Sequence, residues 1–297
     1  MYGTRDKFDY FECSACGCLQ IGELPENLAD YYPSNYYSFN LKEDNAFDGS
    51  AGAFRRFQYT NSLFGSSVYQ KTIGKLIDKK FFYLFKSLNL NKETAILDVG
   101  CGDGKNFLYP LSALGFKNLL GCDPFLSQDI VYKNGLNIKK ANIEEIDRFF
   151  DLITYHHSFE HVPNPLAHLK HAYSLLNSGG TCMLRIPTAS SYAWKHYKEN
   201  WSQLDAPRHL FLHSKKSIAL MAEQAGFVLE KVIYDSGHFQ FTGSELYKRD
   251  IPLNAPREKG LLQNLNRKLK KSSYKRKAEK LNQEHRGDQA AFYLKKH

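Results

Sequence analysis

The sequence contains no apolar run of about 18 residues, the length that a membrane-spanning helix requires. Its first ten residues are polar and mixed in charge, so they lack the apolar stretch of a secretory signal. We therefore expect no membrane-spanning helix. These absences also lead us to expect a cytoplasmic protein.

Cysteine is sparse, and it does not form an even, spread framework of the kind that suggests disulfides. Three of the six cysteines cluster at Cys13, Cys16 and Cys18, where Cys13 to Gly17 forms a C-x-x-C-G knuckle. Structural zinc needs four ligands and usually two knuckles, and no second knuckle follows. We therefore expect a knuckle-shaped turn and predict no bound metal.

The net charge of +9 is concentrated in one segment. Residues 256–286 contain eleven Lys or Arg against three Glu, so the remainder of the chain is close to neutral. This distribution does not favour a nucleic-acid-binding surface over the whole protein. The basic segment itself is expected to be a solvated helical insertion, or a contact surface for an anionic partner.

Short apolar runs alternate with amphipathic stretches from Thr94 onward. Short, nearly continuous apolar runs such as 95–99, which ends in glycines, are typical of strands buried on both faces of a parallel sheet. Asn164-Pro165 and Ser214 suit helix starts, because Asn and Ser cap N-termini and Pro fits the first turn. The pattern predicts an α/β fold whose mostly parallel sheet has helices on both faces. Seven strands are expected, at 95–99, 118–122, 137–140, 151–155, 181–187, 228–234 and 289–294.

Two further segments carry weaker expectations. Residues 1–45 show little periodicity, so we expect an irregular, packed extension there. Ile73, Ile77, Phe81 and Phe85 recur every four residues, which predicts a helix over 67–88.

The most specific motif is the glycine-rich run from Asp98 to Gly104, which follows a predicted buried strand and opens a helix. Glycines there allow a tight turn and a close approach of the backbone to a ligand. Asp98 precedes the first glycine by two positions, and an acid at this loop suits a ligand that carries an amine. Asp123 ends the next strand, where a carboxylate can accept both hydroxyls of a ribose. The spacing G-x-G-x-G differs from the dinucleotide fingerprint G-x-G-x-x-G, so a nicotinamide dehydrogenase is disfavoured.

At these residues the sequence resembles the class I S-adenosylmethionine-dependent methyltransferases, in particular a bacterial small-molecule or sugar-type subgroup. Later segments of the chain also match the family. They are Tyr155–Pro165, the turn Asn177–Gly180, Trp201–Ser214 and the entry into the last strand at Gly287-Asp288.

The resemblance implies a Rossmann-like sheet whose last strand is antiparallel, with S-adenosylmethionine as cofactor. Related methyltransferases often carry two N-terminal knuckles, so the chain is expected to begin inside such a module. The resemblance assigns the methionine part to Asp98, Gly100, Gly102 and Gly104, the ribose to Asp123 and the adenine amino group to Asn142.

Methyl transfer to a hydroxyl or a carbon acid needs a base, because the acceptor must lose a proton. Glu160 and His161 follow the fourth predicted strand, and ligands bind beyond the carboxyl ends of such strands. His209 follows Pro207 in a predicted loop. These three residues are the predicted catalytic candidates. That Glu160 and His161 only hydrogen-bond the loop or a helix end stays open.

The leading hypothesis is methyl transfer to a small molecule, such as a sugar or another biosynthetic intermediate. A nucleic-acid methyltransferase that uses the basic segment as an anchor ranks second, because no base-stacking motif supports it. A cofactor-binding protein without turnover is the third hypothesis, and the oligomeric state is not predicted. The expected organisation is an N-terminal extension with a partial knuckle at 1–45, a helical segment at 46–90, a cofactor-binding core at 91–235, a basic helical insertion at 236–287 and a closing strand at 288–297.

Overall fold

The structure, a computed structural model, describes residues 6–31, 46–65, 81–256 and 260–297. Within these ranges the strands are β1 (Tyr10–Glu12), β2 (Leu19–Ile21), β3 (Ile96–Val99), β4 (Leu119–Cys122), β5 (Ile130–Val131), β6 (Asn137–Lys139), β7 (Phe150–His156), β8 (Leu176–Pro187), β9 (Phe211–Leu212), β10 (Val228–Tyr234) and β11 (Gln289–Lys295). The α-helices are α1 (Gly49–Phe64), α2 (Leu108–Ala113), α3 (Pro165–Leu175), α4 (Tyr192–Tyr197), α5 (Lys215–Gln224), α6 (Phe239–Tyr247) and α7 (Leu261–Gln283). Short 3-10 helices lie at Leu28–Tyr31, Phe82–Leu88, Ile143–Glu145, Phe159–His161 and Lys198–Asn200.

The described residues fall into two compact units. Of the described residues, the first unit contains 6–31, 157–169, 184–256 and 260–294, and the second contains 46–65, 81–156, 170–183 and 295–297. Strand β8 contributes residues to both units.

The second unit is built on parallel strands. β3 pairs in parallel with β4 and with β7, and β4 pairs in parallel with β6. All four residues of β3 and all four of β4 are buried, as the nearly continuous apolar runs predicted. The larger sheet has the strand order β10-β11-β8-β7-β3-β4-β6-β5. The predicted α/β fold with a mostly parallel sheet is therefore confirmed.

The sheet has eight strands rather than the predicted seven, because Ile130–Val131 adds a short antiparallel strand beside β6. A two-residue strand is too short to show alternation in the sequence.

The closing strand is antiparallel, as the family resemblance implied. The Lys296 N–H donates to the Gly180 carbonyl at 3.0 Å, and the Thr188 N–H donates to the Asp288 carbonyl at 2.9 Å. Residue numbers rise along β8 while they fall along its partner, so β8 and β11 run in opposite directions.

The predicted turn at Asn177–Gly180 is instead the first part of β8. Gly179 has a φ of 73°, and its N–H donates to the Lys296 carbonyl at 3.0 Å. These residues are extended because they pair with the end of the chain, whereas local propensity alone would favour a turn.

The first unit contains a small sheet of order β1-β2-β9, so the expectation of an irregular N-terminal extension is wrong for Tyr10–Ile21. β2 is held in this sheet by antiparallel pairing with β9, which lies far from it in the sequence. An apolar core in this unit gathers Leu19, Ala189, Ala193, Tyr197, Trp201, Leu212, Phe241, Ala278 and Leu281.

Of the helix predicted over 67–88, residues 67–80 lie outside the described part of the chain, and Phe82–Leu88 forms a 3-10 helix. The region predicted as a basic insertion contains α6 and α7. Among the described residues, no helix is both long and apolar enough to cross a membrane.

Candidate active site

The glycine-rich loop of the second unit needs glycine for its backbone conformation. Gly100, Gly102 and Gly104 have φ values of 67°, 57° and 73°. Residues other than glycine rarely adopt this left-handed backbone region, because their Cβ would crowd the carbonyl oxygen. The loop follows β3 and bonds to β4, since the Gly100 N–H donates to the Cys122 carbonyl at 2.8 Å.

Two buried carboxylates lie at this loop, one on β3 and one directly after β4. Asp98 is 3% exposed, and its Oδ1 accepts the Thr154 hydroxyl at 2.8 Å. The Asp123 Oδ2 accepts the Gly102 N–H at 2.9 Å, and its Oδ1 accepts the Phe125 N–H at 2.9 Å. Asp123 therefore holds the loop in place, a role that the sequence did not predict.

Burial raises the pKa of Asp98 to about 8; the Thr154 hydrogen bond opposes this rise and the nearby Asp123 adds to it. A carboxyl group in this state would be ionised by a cationic ligand, because an opposite charge stabilises the charged form. Asp98 thus suits a ligand with an ammonium group.

Close packing beneath the loop also requires small residues. A Cβ on Gly104 would lie 2.7 Å from Ile138 Cδ1, and a Cβ on Gly121 of β4 would lie 2.6 Å from Cys101 Sγ. Asn142, the predicted adenine contact, is exposed and precedes the 3-10 helix Ile143–Glu145. Its backbone N–H donates to Glu145 Oε1 at 2.7 Å.

The three catalytic candidates lie together in the first unit. Glu160, His161 and His209 each offer a ligand atom, and these atoms lie within 4.8 Å of one another. We call these three residues the acid–imidazole cluster. Glu160 is fully buried, His209 is 5% exposed, and the rings of His161 and His209 are 4.8 Å apart between centroids.

One backbone hydrogen bond links the two segments of this cluster, and a side-chain hydrogen bond from β1 anchors the second segment. The Leu210 N–H donates to the Glu160 carbonyl at 2.9 Å, and the Tyr10 hydroxyl donates to the His209 carbonyl at 2.7 Å. Residues 205–210 therefore lie along the helix Phe159–His161. Arg208 Nη2 is 2.6 Å from both carboxylate oxygens of Asp205, which balances that buried charge.

The cluster contains one carboxylate and two imidazoles. Burial alone would raise the pKa of Glu160, but the neighbouring imidazoles, His157 first, lower it to about 2. Burial lowers the pKa of His161 and of His209, although Glu160 opposes this. At neutral pH the cluster therefore holds an ionised carboxylate beside neutral imidazoles, and it can accept a proton.

The cysteine knuckle forms the turn between β1 and β2. The Gly17 N–H donates to the Cys13 carbonyl at 2.6 Å, and Gly17 has a φ of 72°. Cys18 is buried, with its Sγ 3.7 Å from His213 Nδ1. Among the described residues, the group that could hold a metal ion is the acid–imidazole cluster.

Comparison with protein families decides what kind of protein this is. A family model described as a methyltransferase domain matches residues 69–232, more than half of the chain. The chain belongs to this methyltransferase family. It is an S-adenosylmethionine-dependent methyltransferase, as the family resemblance implied.

No curated protein matches the methyltransferase significantly in sequence. Among solved structures, it is similar to a cyclopropane synthase from Mycobacterium tuberculosis at 14% identity, over 92% of this chain and 95% of that chain, with a TM-score of 0.46. It is also similar to a methyltransferase from Archaeoglobus fulgidus at 18% identity, over 81% and 99%, with a TM-score of 0.44. A magnesium protoporphyrin IX methyltransferase from Synechocystis shows 12% identity over 93% and 99%, with a TM-score of 0.44.

Sequence reasoning did not single out three residues that surround the candidates in the methyltransferase. His157 has a φ of 55° and places its Nδ1 3.4 Å from Glu160 Oε1. Asp205 and Arg208 form a buried ion pair three residues apart. The i, i+3 spacing of the pair is visible in the sequence, but its burial is not. The backbone conformation of His157 has no sequence signature, because non-glycine residues with positive φ are set by their surroundings.

Proposed function

We propose that the protein methylates a small-molecule acceptor that loses a proton, such as a sugar hydroxyl or another biosynthetic intermediate. The observation that carries the proposal is the loop of three positive-φ glycines flanked by the buried Asp98 and Asp123. The acid–imidazole cluster supports the choice of acceptor, because an amine acceptor would need much less help from a base.

Each group has a proposed role. Asp98 pairs with the ammonium of the cofactor, Asp123 accepts its ribose hydroxyls, and Gly100, Gly102 and Gly104 keep the space beside the backbone open. The exposed Asn142 remains the proposed adenine contact. When bound, S-adenosylmethionine supplies an electrophilic methyl group on a sulfonium. Glu160, His161 and His209 receive the proton that the acceptor loses.

Calorimetric titration tests the cofactor site directly. We expect S-adenosylmethionine and its demethylated product to bind wild-type protein with micromolar affinity. Asp123→Ala should weaken binding by about 1–3 kcal/mol, the scale for lost hydrogen bonds to a charged group. Asp147→Asn is the matched control, because Asp147 is exposed and belongs to the same unit. Absence of binding by the wild type, or equal weakening by Asp147→Asn, would contradict the assigned site.

Formation of the demethylated product tests the acceptor class. We expect turnover with small hydroxyl compounds, including nucleotide-linked sugars, and a loss of turnover in Glu160→Gln. Binding of cofactor without turnover on any acceptor would leave only the cofactor-binding function.

A nucleic-acid acceptor is the second candidate, and α7 is the observation that favours it. Its residues 263–273 are exposed and rich in Lys and Arg, whereas Ala278 and Leu281 are buried. Such a helix could neutralise phosphates, and activity would then fall steeply as salt rises. Turnover on RNA or DNA with that salt dependence would replace the small-molecule proposal.

A further inference from the structure

Backbone carbonyl groups determine which ring nitrogen carries the proton in each histidine of the acid–imidazole cluster. His161 Nδ1 lies 2.8 Å from the Arg208 carbonyl oxygen, and His209 Nδ1 lies 2.7 Å from the Gln203 carbonyl oxygen. A carbonyl oxygen can only accept, so Nδ1 carries the proton in each ring. In the neutral ring, Nε2 then presents a lone pair.

The lone pair of His209 faces a buried anion. His209 Nε2 is 3.9 Å from Glu160 Oε1 and 3.7 Å from Asp205 Oδ2. Glu160 is fully buried, and neither of its carboxylate oxygens accepts a hydrogen bond of normal geometry from a described residue. His157 Nδ1 lies 3.4 Å from Glu160 Oε1 on one side of the carboxylate. A cation bound by Glu160 and the histidine lone pairs would compensate the same buried negative charge.

We propose that the cluster binds a divalent transition-metal ion, with Glu160, His161 and His209 as its protein ligands. The three donor atoms lie within 4.8 Å of one another. Donors that bind a metal at about 2.0–2.2 Å lie about 3–4 Å apart, so a contraction of about 1 Å would complete the site. The site would be additional to the cofactor site. With an ion bound, the three residues would act as its ligands rather than as the base of the proposed function, and the ion would lower the pKa of an acceptor hydroxyl bound to it.

The donor set defines the class of metal. Two imidazoles and one carboxylate suit zinc or iron better than magnesium, which prefers oxygen donors. Three protein ligands leave coordination positions open, as in catalytic rather than structural sites. The carbonyl partners of both Nδ1 atoms match the outer shell that orients ligating histidines. An oxygen atom of a small molecule could occupy an open position.

Metal analysis of the purified full chain tests the proposal. After removal of metal with a chelator, the protein is titrated with Zn²⁺ alone, and the bound metal is measured by mass spectrometry. Co²⁺ replaces Zn²⁺ in a parallel sample, so that its visible absorption reports the ligands. We expect about one tight ion per chain, a rise in melting temperature on binding and nitrogen-ligated cobalt bands.

Four variants separate this site from other metal-binding groups. Glu160→Gln and His209→Gln should each weaken zinc binding by more than the roughly 10–100-fold typical of outer-shell changes. His196→Gln, which removes an exposed histidine, should bind zinc like the wild type. The double variant Cys13→Ser with Cys16→Ser should also retain the ion, which excludes the knuckle as the site.

Three results would overturn the proposal. They are a folded wild-type protein that binds no zinc, an ion lost only from the cysteine variant, and cobalt bands of thiolate character. Circular dichroism of each variant without metal separates loss of ligands from loss of fold. If Glu160→Gln does not fold, His209→Gln and the cobalt spectrum still decide the outcome.

Discussion

At the residue scale, Asp98 shows how a single buried carboxylate can link ligand binding to protons. Its pKa of about 8 means that it is mostly protonated at pH 7 when no cation pairs with it. Pairing with the ammonium of the cofactor would ionise it, because the opposite charge compensates for burial. The same interaction would select ligands that carry an amine.

We therefore predict that binding of S-adenosylmethionine at pH 7 releases about one proton. Affinity should rise as the pH increases from 6 toward 8, since the ionised form of Asp98 then needs no proton loss. Titration calorimetry in buffers of different ionisation enthalpy measures the number of protons. Asp98→Asn keeps an oxygen for the Thr154 hydroxyl but cannot ionise, so it should bind weakly and release no proton. An unchanged proton count in this variant would show that another group titrates.

At the scale of the elements, β4 positions the glycine loop by having no side chain at Gly121. A Cβ there would lie 2.6 Å from Cys101 Sγ, 2.7 Å from Ile138 Cδ1 and 2.9 Å from Leu108 Cδ1. The loop, β6 and α2 thus all approach the same point on β4. Because the packing is this close, a side chain added at Gly121 would displace the loop.

We predict that Gly121→Ala lowers the free energy of unfolding by about 1–3 kcal/mol, the usual cost of overpacking a core. The displaced loop should also lower the affinity for the cofactor. Urea unfolding and titration calorimetry measure the two effects. Gly237→Ala is the comparison, because a Cβ there meets nothing within 4 Å. Equal stability of the two variants would mean that the loop adjusts without cost.

At the scale of the whole molecule, stability depends on pH through buried carboxyl groups such as Asp288. The Trp201 Nε1–H donates to Asp288 Oδ2 at 3.1 Å, which joins two distant segments of the first unit. Burial raises the pKa of Asp288 to about 6, although the Trp201 hydrogen bond lowers it in part. The folded protein therefore holds this proton more tightly than the unfolded chain does.

A group with a raised pKa stabilises the fold fully below its unfolded pKa, and this stabilisation is lost as the pH rises through the folded pKa. We predict that Asp288 alone costs wild-type protein roughly 3 kcal/mol of unfolding free energy between about pH 3 and pH 7. Urea unfolding across this range, compared with Asp288→Asn, isolates the effect. The control variant Asp147→Asn should show the same pH dependence of unfolding free energy as the wild type. Identical pH profiles for wild type and Asp288→Asn would contradict the assignment.

Much of the sheet and the glycine loop could be predicted from the sequence, because local patterns encode them. Buried parallel strands such as β3 and β4 have nearly continuous apolar runs, and a loop with positive φ favours glycine at Gly100, Gly102 and Gly104. The sequence also placed Glu160, His161 and His209 among the candidates, from their positions relative to predicted strands. Their assigned roles stay predictions.

Tertiary structure alone decided the remaining features, because they depend on pairing between distant segments. β2 is a strand because it pairs with β9. The start of β8 is extended rather than a turn because it pairs with the end of the chain. The acid–imidazole cluster exists only because residues 205–210 lie along the helix Phe159–His161. Burial, which sets the charge of Asp98 and Glu160, is likewise a property of the folded chain and not of local sequence.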